Sequence, residues 1–150
     1  MNDLREFPTG KEILGVGWHF PVRVDRRLPG EVLAPDKGRG GIALARYEDD
    51  IDQAIRIILS TRKGERRMRP EFGCDIHELV FAEANSTTFS LLRYYVEAAL
   101  SFWEPRISLR EVLIDPSPAE GRVDIFINYE IRATKDERTL VYPFFTIGEE

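Results

Sequence analysis

Phe102-Trp103-Glu104-Pro105-Arg106-Ile107 divides the chain into a helical part and a β-rich part. A proline has no backbone N–H and disfavours helical backbone at the residue before it, so a helix that reaches Trp103 stops there and Glu104 is extended. Upstream, Phe89, Leu92, Val96, Ala99, Leu100 and Trp103 follow one another at steps of three, four, three, one and three, which places them on one face of an amphipathic helix. That helix begins near Asn85 or Ser86, whose side chains are suited to capping. Downstream, Val123, Ile125, Ile127, Tyr129 and Ile131 alternate with Asp124, Phe126, Asn128, Glu130 and Arg132, the two-residue period of a half-buried strand. Residues 107–114 and 139–147 read as its neighbours, and the connections at 115–121 and 134–138 are short enough for an antiparallel meander.

An earlier helix is expected over residues 48–61. Ile51, Ala54, Ile55, Ile58 and Leu59 share one face, Asp49 or Asp50 is available as N-cap, Arg62 and Lys63 lie at the negative end, and Gly64 is placed to close it. A short helix is expected over 75–81, after a segment punctuated by Pro70 and Gly73. Residues 13–24 are rich in β-branched and aromatic side chains but are cut by Gly15, Gly17 and Pro21, which suggests extended chain lying on a surface. Residues 42–45 suggest a short strand. Between them, residues 25–41 hold two prolines and four glycines without helical or strand period, a long loop. The expected fold is α+β, with two main amphipathic helices packed on a small antiparallel sheet formed mainly by the C-terminal half. The expected organisation is a flexible N-terminus over 1–12 and a single domain over 13–150.

A chain of 150 residues with 43% apolar content is long enough for one core. Its net charge of −5 argues against nucleic acid as the main partner, because duplex binding calls for a strongly basic face. The opening Met1-Asn2-Asp3-Leu4-Arg5-Glu6 carries acids where an export signal has basic residues, and no apolar run follows, which indicates a cytoplasmic protein. No window approaches the roughly 18 apolar residues that a membrane span requires, so no membrane partner is expected. Cys74 is the single cysteine, which excludes an internal disulfide and a thiolate-rich metal site.

Catalytic chemistry finds little support. Cys74 lies three residues before His77, but with His19 as the only other histidine a zinc site lacks ligands, and no nucleophile motif is present. No metal or cofactor is expected. Glu78, Glu83, Glu97 and Glu104 could supply a glycosidase pair, yet nothing selects two of them, and Arg106 beside Glu104 favours the ionised carboxylate where a general acid must hold a proton. Gly38-Arg39-Gly40-Gly41 precedes a strand instead of a helix, which argues against a phosphate cradle. Arg62 to Arg69 carries five basic residues in eight and reads as a solvated turn or a protein-docking patch.

Pro143 cannot donate to a ladder from the centre of a sheet, so the last strand belongs near an edge. A hydrophobic edge strand templates pairing and is normally hidden. Two arrangements satisfy this: a partner adds a strand to it, or the N-terminal extended segment covers it.

Taken together, residues 15–21 (Gly-Val-Gly-Trp-His-Phe-Pro), 64–74 (Gly-Glu-Arg-Arg-Met-Arg-Pro-Glu-Phe-Gly-Cys), 103–107 (Trp-Glu-Pro-Arg-Ile) and the stretch from Asn128-Tyr129 to Tyr142-Pro143-Phe144 resemble the baseplate wedge, tail-lysozyme-like family of contractile tails. That family is shared by myophage baseplates, type VI secretion baseplates and extracellular contractile injection systems. The resemblance runs over about residues 13–147. It implies a structural, non-enzymatic sheath initiator that sits around the central hub or spike in multiple copies of a symmetric assembly. Glu104, Pro105 and Arg106 would dock to baseplate wedge proteins, with Arg106 bonding either a partner's carboxylate or its own Glu104. Tyr142, Pro143, Phe144, Phe145, Thr146 and Ile147 would take a strand of the sheath protein. The chain would pass from the cytoplasm into a phage tail or injection particle. The lysozyme name of the family implies the competing function, a tail-associated peptidoglycan hydrolase, for which no catalytic pair is identifiable. Residues 26–39 read as longer than the family's usual link between the Phe-Pro motif and the first helix.

Overall fold

A computed structural model describes residues 14–25, 41–42, 44–116 and 121–146. The expected N-terminal tail and residues 26–40 of the long loop lie outside the described residues. The chain divides into two compact units, residues 1–53 and 54–150.

In the first unit, β1 (Val16–Trp18) pairs antiparallel with β4 (Leu44–Arg46), and β2 (Val24–Asp25) with β3 (Gly41–Ile42), as two separate two-stranded sheets. Asp25 and Gly41, the ends of the expected loop, are register partners. Val16, Trp18, Phe20 and Val22 are all exposed, in line with extended chain on a surface. Gly17 lies against the Asp50 carboxylate, which would have to move for a Cβ there.

The helix α1 (Glu48–Ser60) begins in the first unit and continues into the second. Its ends correct the expected caps. Asp49 and Asp50 lie within the first turn, and the residue before the helix is Tyr47, at φ 53°, whose carbonyl accepts from Ile51 N at 3.3 Å. At the other end the last backbone bond, Thr61 N to Ile57 O at 3.1 Å, is joined on the same carbonyl by the Thr61 and Ser60 hydroxyls at 2.6 and 3.2 Å. Gly64 is therefore not the cap; it sits further on, at φ 83°, and donates its N–H to Pro70 O at 2.6 Å.

The second unit continues with a 3-10 helix (Asp75–Leu79), then α2 (Ser86–Trp103) and three long strands, β5 (Ile107–Pro116), β6 (Arg122–Ile131) and β7 (Glu137–Phe145). Asn85 caps α2, its Oδ1 accepting from Thr88 N at 2.9 Å and Thr88 Oγ1 at 3.1 Å. The strands form one antiparallel sheet in the order β5-β6-β7. Val123, Ile125, Ile127, Tyr129 and Ile131 of β6 are all buried, as their alternation demands, and Ile107, Val112, Leu140 and Phe144 are buried beside them. The helix α2 packs along β5 and buries Leu92, Val96, Ala99 and Leu100. Burial of each such side chain is worth about 1.5–3 kcal/mol, which is what holds helix and sheet together. In β5 the register slips between Leu109 and Glu111, a bulge that lets Arg110 leave the alternation and returns Val112 to the buried face. The opposite face is less covered: Leu113, Phe126 and Val141 are register partners in a row, with Leu113 and Val141 exposed. Two helices and a C-terminal antiparallel sheet make the α+β fold that the periodicities indicate.

Candidate docking surfaces

The corner between α2 and β5 is built as the sequence requires. The helix closes with Glu104 N on Leu100 O at 3.0 Å, Pro105 starts the turn, and Ile107 N returns to Glu104 O at 3.4 Å. Within this turn Arg106 Nε donates to Glu104 Oε1 and Arg106 Nη2 to Glu104 Oε2, both at 2.7 Å, and Arg106 N adds a longer bond to Oε1 at 3.3 Å. Within the chain, Arg106 and Glu104 thus form a bidentate, charge-assisted pair. The Glu104 side chain is only 4% exposed and that of Arg106 31%. Pro105 is exposed. Arg132 ties the end of β6 to the same turn, its N–H on Arg106 O at 3.0 Å and its Nε on Ile107 O at 2.8 Å. The buried carboxylate thus fixes the corner from inside, while Pro105 and part of the guanidinium face outward.

Among the described residues β7 has one strand neighbour, β6. The extended segment of the first unit pairs instead with β3 and β4. Thr146 N donates to Gly121 O at 2.7 Å, on the β6 side. Because donors alternate along a strand, the N–H groups of Phe144, Tyr142 and Leu140 point the same way, and those of Phe145 and Val141 point to the open edge. Pro143, at an outward position, has no N–H to present, which is how a proline is accommodated in this strand. The six expected strand-addition residues therefore fall into different roles. Tyr142 and Phe144 turn their side chains inward, Phe144 4% exposed, and burial raises the Tyr142 phenol above its ordinary pKa. Phe145 is exposed, Pro143 and Thr146 are half-buried, and Ile147 lies outside the described residues.

Residues 61–74 form a loop whose ends meet. Cys74 N donates to Thr61 O at 2.9 Å, Arg62 and Cys74 form a β-bridge, and Lys63 is ion-paired with Asp75. Gly73 closes the base at φ 124°, where a Cβ would strike the Thr61 carbonyl. Inside the loop, Glu65 N bonds Arg62 O at 3.1 Å, Arg69 N bonds Arg66 O at 3.2 Å and Phe72 N bonds Arg69 O at 3.0 Å. The Arg66 guanidinium lies 4.1 Å from the centre of the Phe72 ring, Phe72 meets Trp103 edge-on at 5.0 Å, and Trp103 meets Phe102 at 4.7 Å. Sequence reasoning placed no aromatic beside this basic run; the signal was Phe72, only six residues beyond Arg66.

The groups considered for catalysis are dispersed or occupied. Cys74 is buried, donates to Tyr95 O at 3.4 Å, and its thiol pKa is pushed up to about 11, chiefly by burial. His77 Nε2 lies 2.9 Å from Leu59 O, so each member of the pair bonds a backbone carbonyl. Glu97 pairs with Arg93 at 2.9 Å, Glu104 with Arg106, and Glu78 and Glu83 are exposed. No group of three potential metal ligands occurs among the described residues. A cluster that the sequence did not single out is Glu130, 7% exposed on the other sheet face, ion-paired with Arg110 and with Lys135 Nζ at 3.2 Å. The hydrogen bond from Arg110, then that from Lys135, holds the Glu130 carboxyl below its ordinary range. The bulge puts Arg110 there, and its sequence signal was the broken alternation between Leu109 and Val112.

Comparison with known proteins finds consistent relatives. Residues 45–136 match the family described as "Baseplate wedge protein gp25". The baseplate wedge protein gp25 of Enterobacteria phage T4 is 30% identical over 87 residues, which span 58% of this chain and 66% of that protein. A solved structure from Geobacter sulfurreducens that carries a tail-lysozyme name is 48% identical, with a TM-score of 0.66, over 71% of this chain and 97% of the other. A chain of the anti-feeding prophage baseplate shares the fold at a TM-score of 0.60 and 24% identity, over 92% of this chain and 90% of its own length.

Proposed function

The chain belongs to the baseplate wedge protein gp25 family, structural baseplate subunits of contractile tails, and we propose that it docks to wedge proteins at the Glu104–Pro105–Arg106 corner and starts sheath assembly by accepting a sheath strand along β7. The observation that carries the strand-addition reading is the edge of β7. Its outward donors at Val141 and Phe145, with outward carbonyls between them, are what an added strand needs for main-chain bonds. Pro143 leaves one gap in that ladder and so fixes the register in which a sheath strand can lie. At the corner, the internal Glu104–Arg106 pair supports docking by preorganisation: it stiffens the turn that holds Pro105 and the outer part of the guanidinium towards a partner, so little ordering is lost on binding.

In this reading the subunit is not an enzyme, and the inert placement of Cys74, His77 and the four glutamates supports that. The tail-lysozyme name of the Geobacter relative makes peptidoglycan hydrolysis the competing function. A turbidity assay on purified cell walls tests it: no clearing is expected, and clearing that tracks the purified protein reverses the order of the two readings. Strand addition is tested by placing a second proline at the edge. Val141→Pro removes an outward donor and should prevent sheath assembly in a complemented particle system; normal sheaths on that variant would sink the edge as the sheath's point of attachment.

A further inference from the structure

The loop over residues 61–74 is too well built for a solvated turn. Its base is closed by the Thr61–Cys74 bond, the Lys63–Asp75 ion pair and Gly73, its interior by four backbone hydrogen bonds, and its far side is propped by the Arg66–Phe72–Trp103 stack. Compact loops whose ends meet in this way are frequently functional. This one uses its rigidity to hold in water what an unengaged surface avoids. Met68 is 93% exposed, and every residue from Arg62 to Pro70 is exposed. From Arg62 to Glu71 the sequence holds five basic residues and two acidic ones, Glu65 and Glu71, and Lys63 is paired with Asp75 beyond them, which leaves the arginines as the surplus positive charge on a chain whose total is −5. Among the described residues the guanidinium groups of Arg62, Arg67 and Arg69 have no carboxylate partner, the Glu65 carboxylate accepting instead from the Arg62 backbone N–H at 3.0 Å. Phe102, at the end of the same aromatic stack, is 72% exposed.

We infer that this loop is a second docking surface, made for an acidic segment of a protein that also carries an apolar side chain for Met68. Charge complementarity selects the acid: clustered guanidinium groups pair with carboxylates bidentately and steer an acidic partner inward. The exposed Met selects a protein over a nucleic acid strand, because an unbranched thioether adapts to a partner's apolar surface but offers no stacking face for a base. The one ring at the loop, Phe72, is half-buried between Arg66 and Trp103 and is not free to stack. The inference does not depend on the baseplate reading, since it names the chemistry of the partner and not its identity.

The probes are a fluorescein-labelled peptide with Glu and Leu at helical spacing, the same peptide with Ser for Leu, and a labelled oligothymidylate, each titrated into the purified chain by fluorescence anisotropy. The Glu/Leu peptide should bind and weaken with salt. Arg67→Ala with Arg69→Ala should weaken it at least about tenfold, that is by about 1.4 kcal/mol. Met68→Ser should weaken it severalfold, and the Ser-substituted peptide should bind less well than its parent. Unchanged melting temperatures keep these effects at the surface. Absence of peptide binding at low salt, binding indifferent to the three substitutions, or oligothymidylate binding as tight as the peptide each overturns the inference, the last in favour of a nucleic acid site. Loss of co-purification with wedge proteins in Pro105→Ala reports on the other docking reading and stands or falls separately.

Discussion

At the scale of single residues, the Glu104–Arg106 pair governs what a substitution can report. The carboxylate is 4% exposed and loses both guanidinium bonds in Arg106→Ala. Leaving it buried and short of partners should cost about 2–4 kcal/mol, read as a lowered denaturant midpoint. A midpoint that does not move would mean that Glu104 gains little from the pair. Docking is better read from Pro105→Ala, which touches an exposed ring and should spare the fold while reducing co-purification with wedge proteins. Glu130 makes a pH-dependent contribution. Its folded pKa lies below the ordinary 4.5, so its stabilisation is fully present above 4.5 and is lost as pH falls through the lower folded value. Glu130→Gln should therefore melt earlier than the parent at neutral pH, and the gap should close on acidification below 4.5; a gap independent of pH would assign the effect to packing. Of these residues, Glu104 and Arg106 were legible in the sequence as a stiff charged corner. That the two would pair bidentately was not, because only the closed turn brings two guanidinium nitrogens within 2.7 Å of the carboxylate oxygens.

At the scale of elements, local rules were readable wherever packing and capping agree. The helix α2 runs from Ser86 to Trp103 because its stripe, its Asn85 cap and Pro105 all say so. Asn85→Ala removes the acceptor of two hydrogen bonds and should cost about 1 kcal/mol, measured by chemical denaturation. The helix α1 has the same clear stripe but other ends, because Tyr47 takes a left-handed conformation that no propensity rule assigns to tyrosine, and Gly64 lies beyond the helix end and bonds Pro70 O instead of closing the helix. In β7 the sequence located an edge from Pro143 but could not say which neighbours face it. The alternation set by Thr146 and Gly121 answers that, and it predicts opposite outcomes for adjacent prolines. Leu140→Pro deletes a bond to β6 and should destabilise the protein by about 1–3 kcal/mol. Val141→Pro deletes an outward donor and should leave the melting temperature close to that of the parent; destabilisation by Val141→Pro with Leu140→Pro neutral would place the two edges of the strand the other way round, and equal destabilisation by both would mean that the Val141 N–H is not free at an open edge.

At the scale of the whole molecule, family membership gives a structural baseplate subunit, and the α+β fold agrees with it. The α+β architecture was legible because its strongest signals, the α2 stripe and the β6 alternation, are long and unbroken. The division at Gln53 was not, because α1 runs unbroken across it and no break in composition marks it. The surfaces differ in how they could be found: the corner by motif, the β7 edge by Pro143, the basic loop by charge alone until the Arg66–Phe72–Trp103 stack gave it a shape. What unites corner and edge is the proposal that the first anchors the subunit in the baseplate while the second seeds the sheath. Electron microscopy of particles from cells lacking this chain tests that most directly. Hubs and tubes without sheath are the predicted result, restored by the parent chain and not by Val141→Pro; particles with full-length sheaths in its absence would contradict the account.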